Sequence, residues 1–178
     1  MIKKLVFLFT LIIVIYDLNG QGLKLYPFKS GMIKYKLEGK TYANETIYFD
    51  DYGRFTSNLN TKHDSILTIL RYDTIYELNI KTNSLIIIPT DENTFNSKQK
   101  LISQETLKTL GFLKSNTENI AGIQCNKYVG ENGSLWVWNS IVLKSEMEIL
   151  DTKISIEATE VLIGIDIPKS KFEIPNNY

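Results

Sequence analysis

Apolar and polar residues alternate with a period of two along much of the chain, the pattern of strands with one buried face. In one clear example, apolar side chains point one way and charged ones the other: Ile33, Tyr35 and Leu37 against Lys34, Lys36 and Glu38. The segment Ile66 to Tyr72 is almost continuously apolar, which predicts a strand that is central or covered on both faces. Together these patterns predict strands near 32–38, 45–50, 66–72, 75–80, 85–88, 123–129, 135–138, 141–149 and 153–165.

Helical signals are confined to the middle of the chain. Ser103 is a suitable N-cap, Leu107 and Leu110 fall on one stripe, and Gly111 is a suitable stop. The main helix is therefore expected within 94–110. Short turns between consecutive strands favour antiparallel pairing over crossover connections. The predicted fold class is mainly β: a curved antiparallel sheet or open barrel, with one or two short helices packed on one face.

The N-terminus has the layout of a secretory signal peptide. Lys3 and Lys4 precede an apolar stretch from Leu5 to Tyr16, and a polar segment follows. As a helix, that stretch would rise about 18 Å, too short for a hydrocarbon core of roughly 30 Å, so a membrane anchor is the weaker interpretation.

The expected domain organisation follows from this signal. Residues 1–20 are predicted to be the signal peptide and 21–178 a single β domain. Gly20 and Gly22 are small residues of the kind that precede a signal cleavage site. Cleavage after Gly20 and cleavage after Gly22 both remain open. The mature protein is then expected in the periplasm or cell envelope, or secreted, without a transmembrane segment.

Composition excludes several classes of function. Twenty basic and twenty acidic residues give a formal net charge of zero, which argues against nucleic acid as a partner. A single cysteine cannot form an intrachain disulfide, so the fold must rely on its core.

Catalytic and metal sites lack the residues they need. Cys125 and His63 are the only thiol and imidazole, and neither has a context that would activate it, so Cys125 is expected to be a core thiol. Glu146 and Glu148 share a strand face with Lys144, a pattern more typical of a solvated face than of a glycosidase. We therefore expect no enzyme activity, no metal and no cofactor.

The predicted strand 135–138 has a residue pattern that suggests ligand binding. Trp136 and Trp138 share one face, and Leu135 and Val137 share the other. A packed core and a ligand pocket both remain open as explanations. If a pocket exists, alternation and aromatic character select these candidates for its lining: Tyr35, Tyr76, Leu78, Leu107, Trp136 and Trp138.

Three segments of the second half carry a family resemblance: TENIAGIQCNKYVG (117–130), GSLWVWNSIVLKSEM (133–147) and KFEIPNNY (171–178). They resemble exported bacterial proteins related to the LolA-like lipoprotein carriers and to the domain-of-unknown-function group 4412. The resemblance implies a half-barrel, in which an antiparallel sheet curls around an apolar concavity that shelters acyl chains under helices. Leu23 to Phe28 leads almost directly into a strand, so no long N-terminal lid helix is expected.

The preferred hypothesis is an exported, non-enzymatic envelope protein that binds a hydrophobic ligand, a lipid or an acyl chain, in the half-barrel. The alternative is a structural or interaction module that docks an envelope partner, with the concavity filled by side chains. An open apolar cavity of several hundred Å³ would favour the first hypothesis, because ligand sites usually occupy about 300–1,000 Å³.

Overall fold

The computed structural model describes residues 24–39, 42–61, 66–71, 74–89, 101–149 and 152–175. The predicted signal peptide, His63 and the upstream part of the predicted helix (94–100) lie outside these residues. The strands are β1 Gly31–Glu38, β2 Ala43–Asp50, β3 Phe55–Asn60, β4 Ile66–Arg71, β5 Thr74–Asn79, β6 Ser84–Pro89, β7 Leu113–Ile120, β8 Ile123–Gly130, β9 Gly133–Trp138, β10 Ile141–Ile149 and β11 Thr152–Ile163. Helix α1 is Gln104–Thr109, and short 3-10 turns lie at Asp51–Gly53 and Lys169–Phe172.

All eleven strands belong to one antiparallel sheet, in the order β6-β5-β4-β3-β2-β1-β11-β10-β9-β8-β7. Strands β1 to β6 form one meander and β7 to β11 a second, and the two join where β1 pairs with β11. The edges of the sheet are therefore β6 and β7, which follow each other in the chain with α1 between them.

The sheet curls strongly on the side of the second meander. One cluster of buried residues, here called the interior cluster, draws members from seven strands: Ile33, Tyr35, Leu37, Ala43, Phe49, Ile120, Cys125, Trp136, Ile141, Leu143 and Ala158. Strand β7 also contacts β11, although three strands separate them in the sheet. The pairing register shifts at Lys34/Tyr35 and at Val142/Lys144, and such bulges increase the local twist. The result is an open half-barrel.

Helix α1 packs on the opposite face of the second meander. Leu107 is buried against Tyr128, Leu135 and Val137, which together form the helix cluster. The Ser103 hydroxyl accepts a hydrogen bond from the Thr106 N–H at 3.0 Å, so the predicted N-cap is confirmed.

The predicted fold class is confirmed, and all nine predicted strands are present with small shifts at their ends. Strand β11 ends at Ile163 rather than at 165, because Gly164 adopts a φ of 71° that breaks the extended chain. Strands β3 and β7 were not predicted. Their sequences, FTSNLN and LKSNTENI, are mostly polar and show no sustained alternation, so pairing with neighbouring strands decides their structure.

Candidate binding surfaces

The interior of the half-barrel is covered by the residues that precede β1, here called the N-terminal segment (residues 24–30). The Leu25 and Tyr26 N–H groups donate to the Tyr52 carbonyl at 2.8 and 3.1 Å, and the Tyr52 N–H donates to the Lys29 carbonyl at 2.9 Å. Gly53 has a φ of 95°, and a Cβ there would lie 2.5 Å from Leu25 Cβ. The turn at Asp51–Gly53 thus holds the segment by close backbone contact.

Two aromatic rings of the N-terminal segment fill the space over the interior cluster. Tyr26 stacks on Phe49 with ring centroids 4.0 Å apart, and Phe28 stacks on Trp138 at 5.0 Å. Such ring pairs add about 0.5–1.5 kcal/mol beyond the area that they bury. Side chains of the protein itself therefore pack over the interior cluster.

A buried polar pair lies on the same face of the sheet. The Glu45 side chain accepts a hydrogen bond from Asn58 Nδ2 at 2.6 Å, and burial raises the pKa of this carboxyl group. Burial, and then the nearby Glu45 charge, also raises the pKa of the Tyr26 hydroxyl. The Tyr35 hydroxyl donates to the Val142 carbonyl at 3.0 Å. These contacts fix the strands and the N-terminal segment, and they bring no nucleophile next to a base.

Trp136 is held by polar partners at the margin of the interior cluster. Its Nε1 donates to Glu118 Oε2 at 2.8 Å, while Lys127 Nζ and Lys144 Nζ lie 4.5 and 4.9 Å from the ring centroid. The hydrogen bonds from Trp136 and then from Lys127 lower the pKa of the Glu118 carboxyl group. A ring fixed in this way is a structural anchor.

The six candidate lining residues do not lie on one surface. Tyr35 and Trp136 belong to the interior cluster and Trp138 packs against it, whereas Leu107 belongs to the helix cluster. Leu78 is fully buried and Tyr76 half-buried on β5, in neither cluster. The helix covers the aliphatic face of β9, so the tryptophans lie on the opposite, interior face. A role of these residues in ligand binding stays a prediction.

The two best-defined cavities among the described residues are small and partly polar. One, of about 180 Å³, is lined by Lys36, Glu38, Ser155, Glu157 and Thr159. The other, of about 170 Å³, lies beside α1 and is lined by Gln104, Lys108, Phe112, Leu113, Lys114 and Tyr128. Both fall below the roughly 300 Å³ at which small-molecule sites begin. Neither cavity has the size that the carrier hypothesis requires.

The residues considered for catalysis have ordinary surroundings. Cys125 is buried in the interior cluster, its Sγ donates to the Ile123 carbonyl at 3.4 Å, and burial raises the pKa of the thiol. Lys144 Nζ lies 3.0 Å from carboxylate oxygens of both Glu146, on its own strand, and Glu157, its pairing partner on β11. Within the described ranges, no group of acidic, histidine or cysteine residues has the geometry to hold a metal ion.

Two apolar surfaces are exposed, and the sequence pattern did not single them out. The first, the β6 edge, is strand Ser84–Pro89, in which Ile86, Ile87 and Ile88 are 55%, 56% and 42% exposed. The second, the helix–β7 corner, consists of Leu110, Leu113 and Val129 beside the 170 Å³ groove. The triple isoleucine was a visible signal, but alternation identifies faces that are buried and not edges that remain open.

In the part of the chain that the structure describes, no helix combines the length and apolar character needed to cross a membrane. No protein-family profile matches this chain, and no curated protein matches it either.

Solved structures share the fold at low sequence identity. An uncharacterized conserved protein from Thermus thermophilus matches with a TM-score of 0.60 and 10% identity over 84% of this chain and 88% of that one. A chain of the Pseudomonas aeruginosa MucA/MucB complex matches with a TM-score of 0.55 and 8% identity, over 83% of this chain and 56% of that one. This protein therefore spans little more than half the length of the second structure.

A LolA superfamily protein from Nitrosomonas europaea is also among the matches, with 9% identity over 84% of this chain and 92% of that one. Its TM-score of 0.38 is too low to carry an argument. The open half-barrel that the resemblance implied is confirmed by the sheet itself, and membership of group 4412 stays a prediction. The first two likenesses show a shared fold at 10% and 8% sequence identity.

Proposed function

We propose that this protein is an exported, non-enzymatic module of the cell envelope that binds a protein partner at an exposed edge of its sheet. The observation that carries the proposal is the filled interior. Tyr26 and Phe28 stack on Phe49 and Trp138, where a carrier would need open volume. This arrangement supports the interaction module over the lipid carrier. Export rests on the basic and apolar pattern of the first residues.

The helix–β7 corner is the surface best suited to such a partner. Leu113 is 65% exposed next to Val129, its pairing partner on β8, so the two side chains form a continuous apolar patch. The adjoining groove has two charged lining residues, Lys108 and Lys114, and both are basic. The complementary partner is a protein segment with an apolar side chain followed or preceded by an acidic one.

The comparison with the MucA/MucB complex supports a protein partner. The matching chain was solved in a complex of two proteins, which is a precedent for partner binding on this fold. The precedent concerns a longer chain, of which the match covers 56%, at 8% identity, and fold alone does not fix function. The filled interior therefore remains the primary support.

A hydrophobic ligand is the second candidate, favoured by one observation. The rings that fill the interior come from a seven-residue segment, 24–30, that has no regular secondary structure. An acyl chain that displaced Phe28 would gain the face of Trp138. In this case the protein purified from its host would carry lipid.

The test is site-specific photocrosslinking in the native host. A photoreactive residue at Leu113 should yield a discrete product with a second protein, while the same residue at exposed Lys153 should not. Lys114→Glu should reduce the yield at Leu113 because it reverses a basic group of the groove. Equal labelling at both positions, or no product at Leu113 together with stoichiometric lipid in the purified protein, would contradict the proposal.

A further inference from the structure

We propose that the β6 edge is a self-association surface, on which two copies pair their β6 strands antiparallel about a two-fold axis at Ile87. The partner proposed above uses the opposite edge of the sheet, so this inference goes beyond that function and stands independently of it.

The first support is the open edge itself. Among the described strands β6 pairs only with β5, so its outer side presents a row of backbone N–H and C=O groups. Such a row is a template for another strand, and proteins commonly protect it with charges, bulges or proline.

The two edges of this sheet differ in that protection. Strand β7 carries Lys114 and Glu118, and its pairing with β8 is interrupted by a register shift between Lys114 and Thr117. Strand β6 has no charged residue, pairs with β5 without interruption, and has proline only at its final position, Pro89. One edge is protected against pairing and the other is left competent for it.

Exposure on both faces of β6 identifies the kind of partner. Ile86 and Ile88 share the face of Glu77 and Ile75, whereas Ile87 lies on the face of Tyr76. All three isoleucines remain about half exposed. A helix or a membrane surface would cover one face and leave the other in water, but an added strand places side chains beside those of β6 on both faces.

Self-complementarity identifies that strand as a second copy. Paired residues of an antiparallel sheet lie on the same face, so a two-fold axis normal to the sheet must pass between two copies of one residue. Placing it at Ile87 sets Ile86 opposite Ile88 of the other copy and Leu85 opposite Pro89. No charge meets a like charge, and the whole chain has a formal net charge of zero.

Cysteine crosslinking tests the register directly. Ile87→Cys should form a disulfide-linked dimer under mild oxidation, because residues opposite each other in a sheet have Cβ atoms about 4.5–5.5 Å apart, near the disulfide range. Ile86→Cys alone should not link, but its mixture with Ile88→Cys should. The native Cys125 is buried and should not form a crosslink, so the wild-type protein is the control for all cysteine variants.

Sedimentation velocity tests the association itself. The wild-type protein should show a dimer that dissociates on dilution, and Ile87→Lys should abolish it by placing two ammonium groups at the axis. Leu162→Lys, which alters an exposed apolar residue on the central strand β11, should leave the dimer unchanged. Circular dichroism confirms that each variant is folded.

Three results would overturn the proposal: a wild-type protein that stays monomeric at every concentration, crosslinking at Ile86→Cys as efficient as at Ile87→Cys, or a dimer that survives Ile87→Lys. Photocrosslinking at Leu113 should be unaffected by Ile87→Lys, so failure of self-association is distinguishable from failure of partner binding.

Discussion

Apolar side chains are buried in the interior cluster and exposed at the β6 edge. Inside the half-barrel, Phe49 and Trp138 are each covered by a ring of the N-terminal segment. At the edge, Ile86, Ile87 and Ile88 are left about half exposed. Burial within the chain contributes to folding, whereas apolar surface left open is available only to another molecule. The comparison therefore favours the periphery of this fold over its interior for the binding proposed above.

The largest expected effect is the loss of an interior anchor. Trp136→Ala should lower the free energy of unfolding by about 3–5 kcal/mol, since it removes a buried ring and leaves Glu118 without its indole donor. Chemical denaturation of the wild-type and variant proteins measures the difference. A cost below about 1 kcal/mol would mean that the interior is loosely packed and would weaken the comparison.

A smaller loss should follow from opening the N-terminal segment. Phe28→Ala removes the ring stacked on Trp138 and should cost about 1–3 kcal/mol. The space it leaves should let a fluorescent fatty acid bind, with a change in tryptophan emission that is absent in the wild-type protein. Saturable binding of the same probe to the unaltered protein would instead favour the lipid-carrier function.

The buried polar pair gives a pH-dependent effect. Because burial raises the pKa of Glu45 in the folded protein, the folded state keeps this proton to a higher pH than the unfolded chain does. Its contribution to stability is thus greatest below the ordinary glutamate pKa and falls as the pH rises through the raised value.

Glu45→Gln keeps an oxygen for Asn58 Nδ2 and removes this titration. The variant should gain stability relative to the wild type as the pH rises through that window, as measured by denaturation at a series of pH values. If the difference in unfolding free energy between this variant and the wild type does not vary with pH, Glu45 does not titrate in a buried site.

The smallest effect on stability is expected at the edge. Ile87→Ala should change the free energy of unfolding of the monomer by no more than about 0.5 kcal/mol, since the side chain is more than half exposed. The unfolding free energy is measured on protein diluted below the concentration at which it dimerises, so that only the monomer contributes. A cost comparable to that of Phe28→Ala would show that the edge is part of the core.

Much of the fold was predictable because alternation records which face of a strand is buried. Strand β1 shows this clearly, with Ile33, Tyr35 and Leu37 buried and Lys34 and Lys36 exposed. Ser103 likewise caps α1 through a local contact that needs only neighbouring residues. Strands β3 and β7 could not be predicted, because polar residues such as Asn58 enter the sheet through pairing with the neighbouring strands and not through a pattern of their own.

The candidate binding surfaces were less predictable than the fold. Alternation placed Trp136 and Trp138 on one face, but the covering of that face by Tyr26 and Phe28 depends on how residues 24–30 cross the sheet. Nothing in the local sequence around Tyr26 specifies its contact with Phe49. Edge positions such as Ile87 are also set by the order of strands, which periodicity does not encode.

The central claim is that the half-barrel is filled by its own side chains and binds by its surface. Mass spectrometry of the protein purified under native conditions from its own host, before and after solvent extraction, tests this most directly. We expect the mass of the processed chain and its dimer, with no lipid near stoichiometry in the extract. One lipid molecule retained per chain would contradict the claim and restore the carrier function.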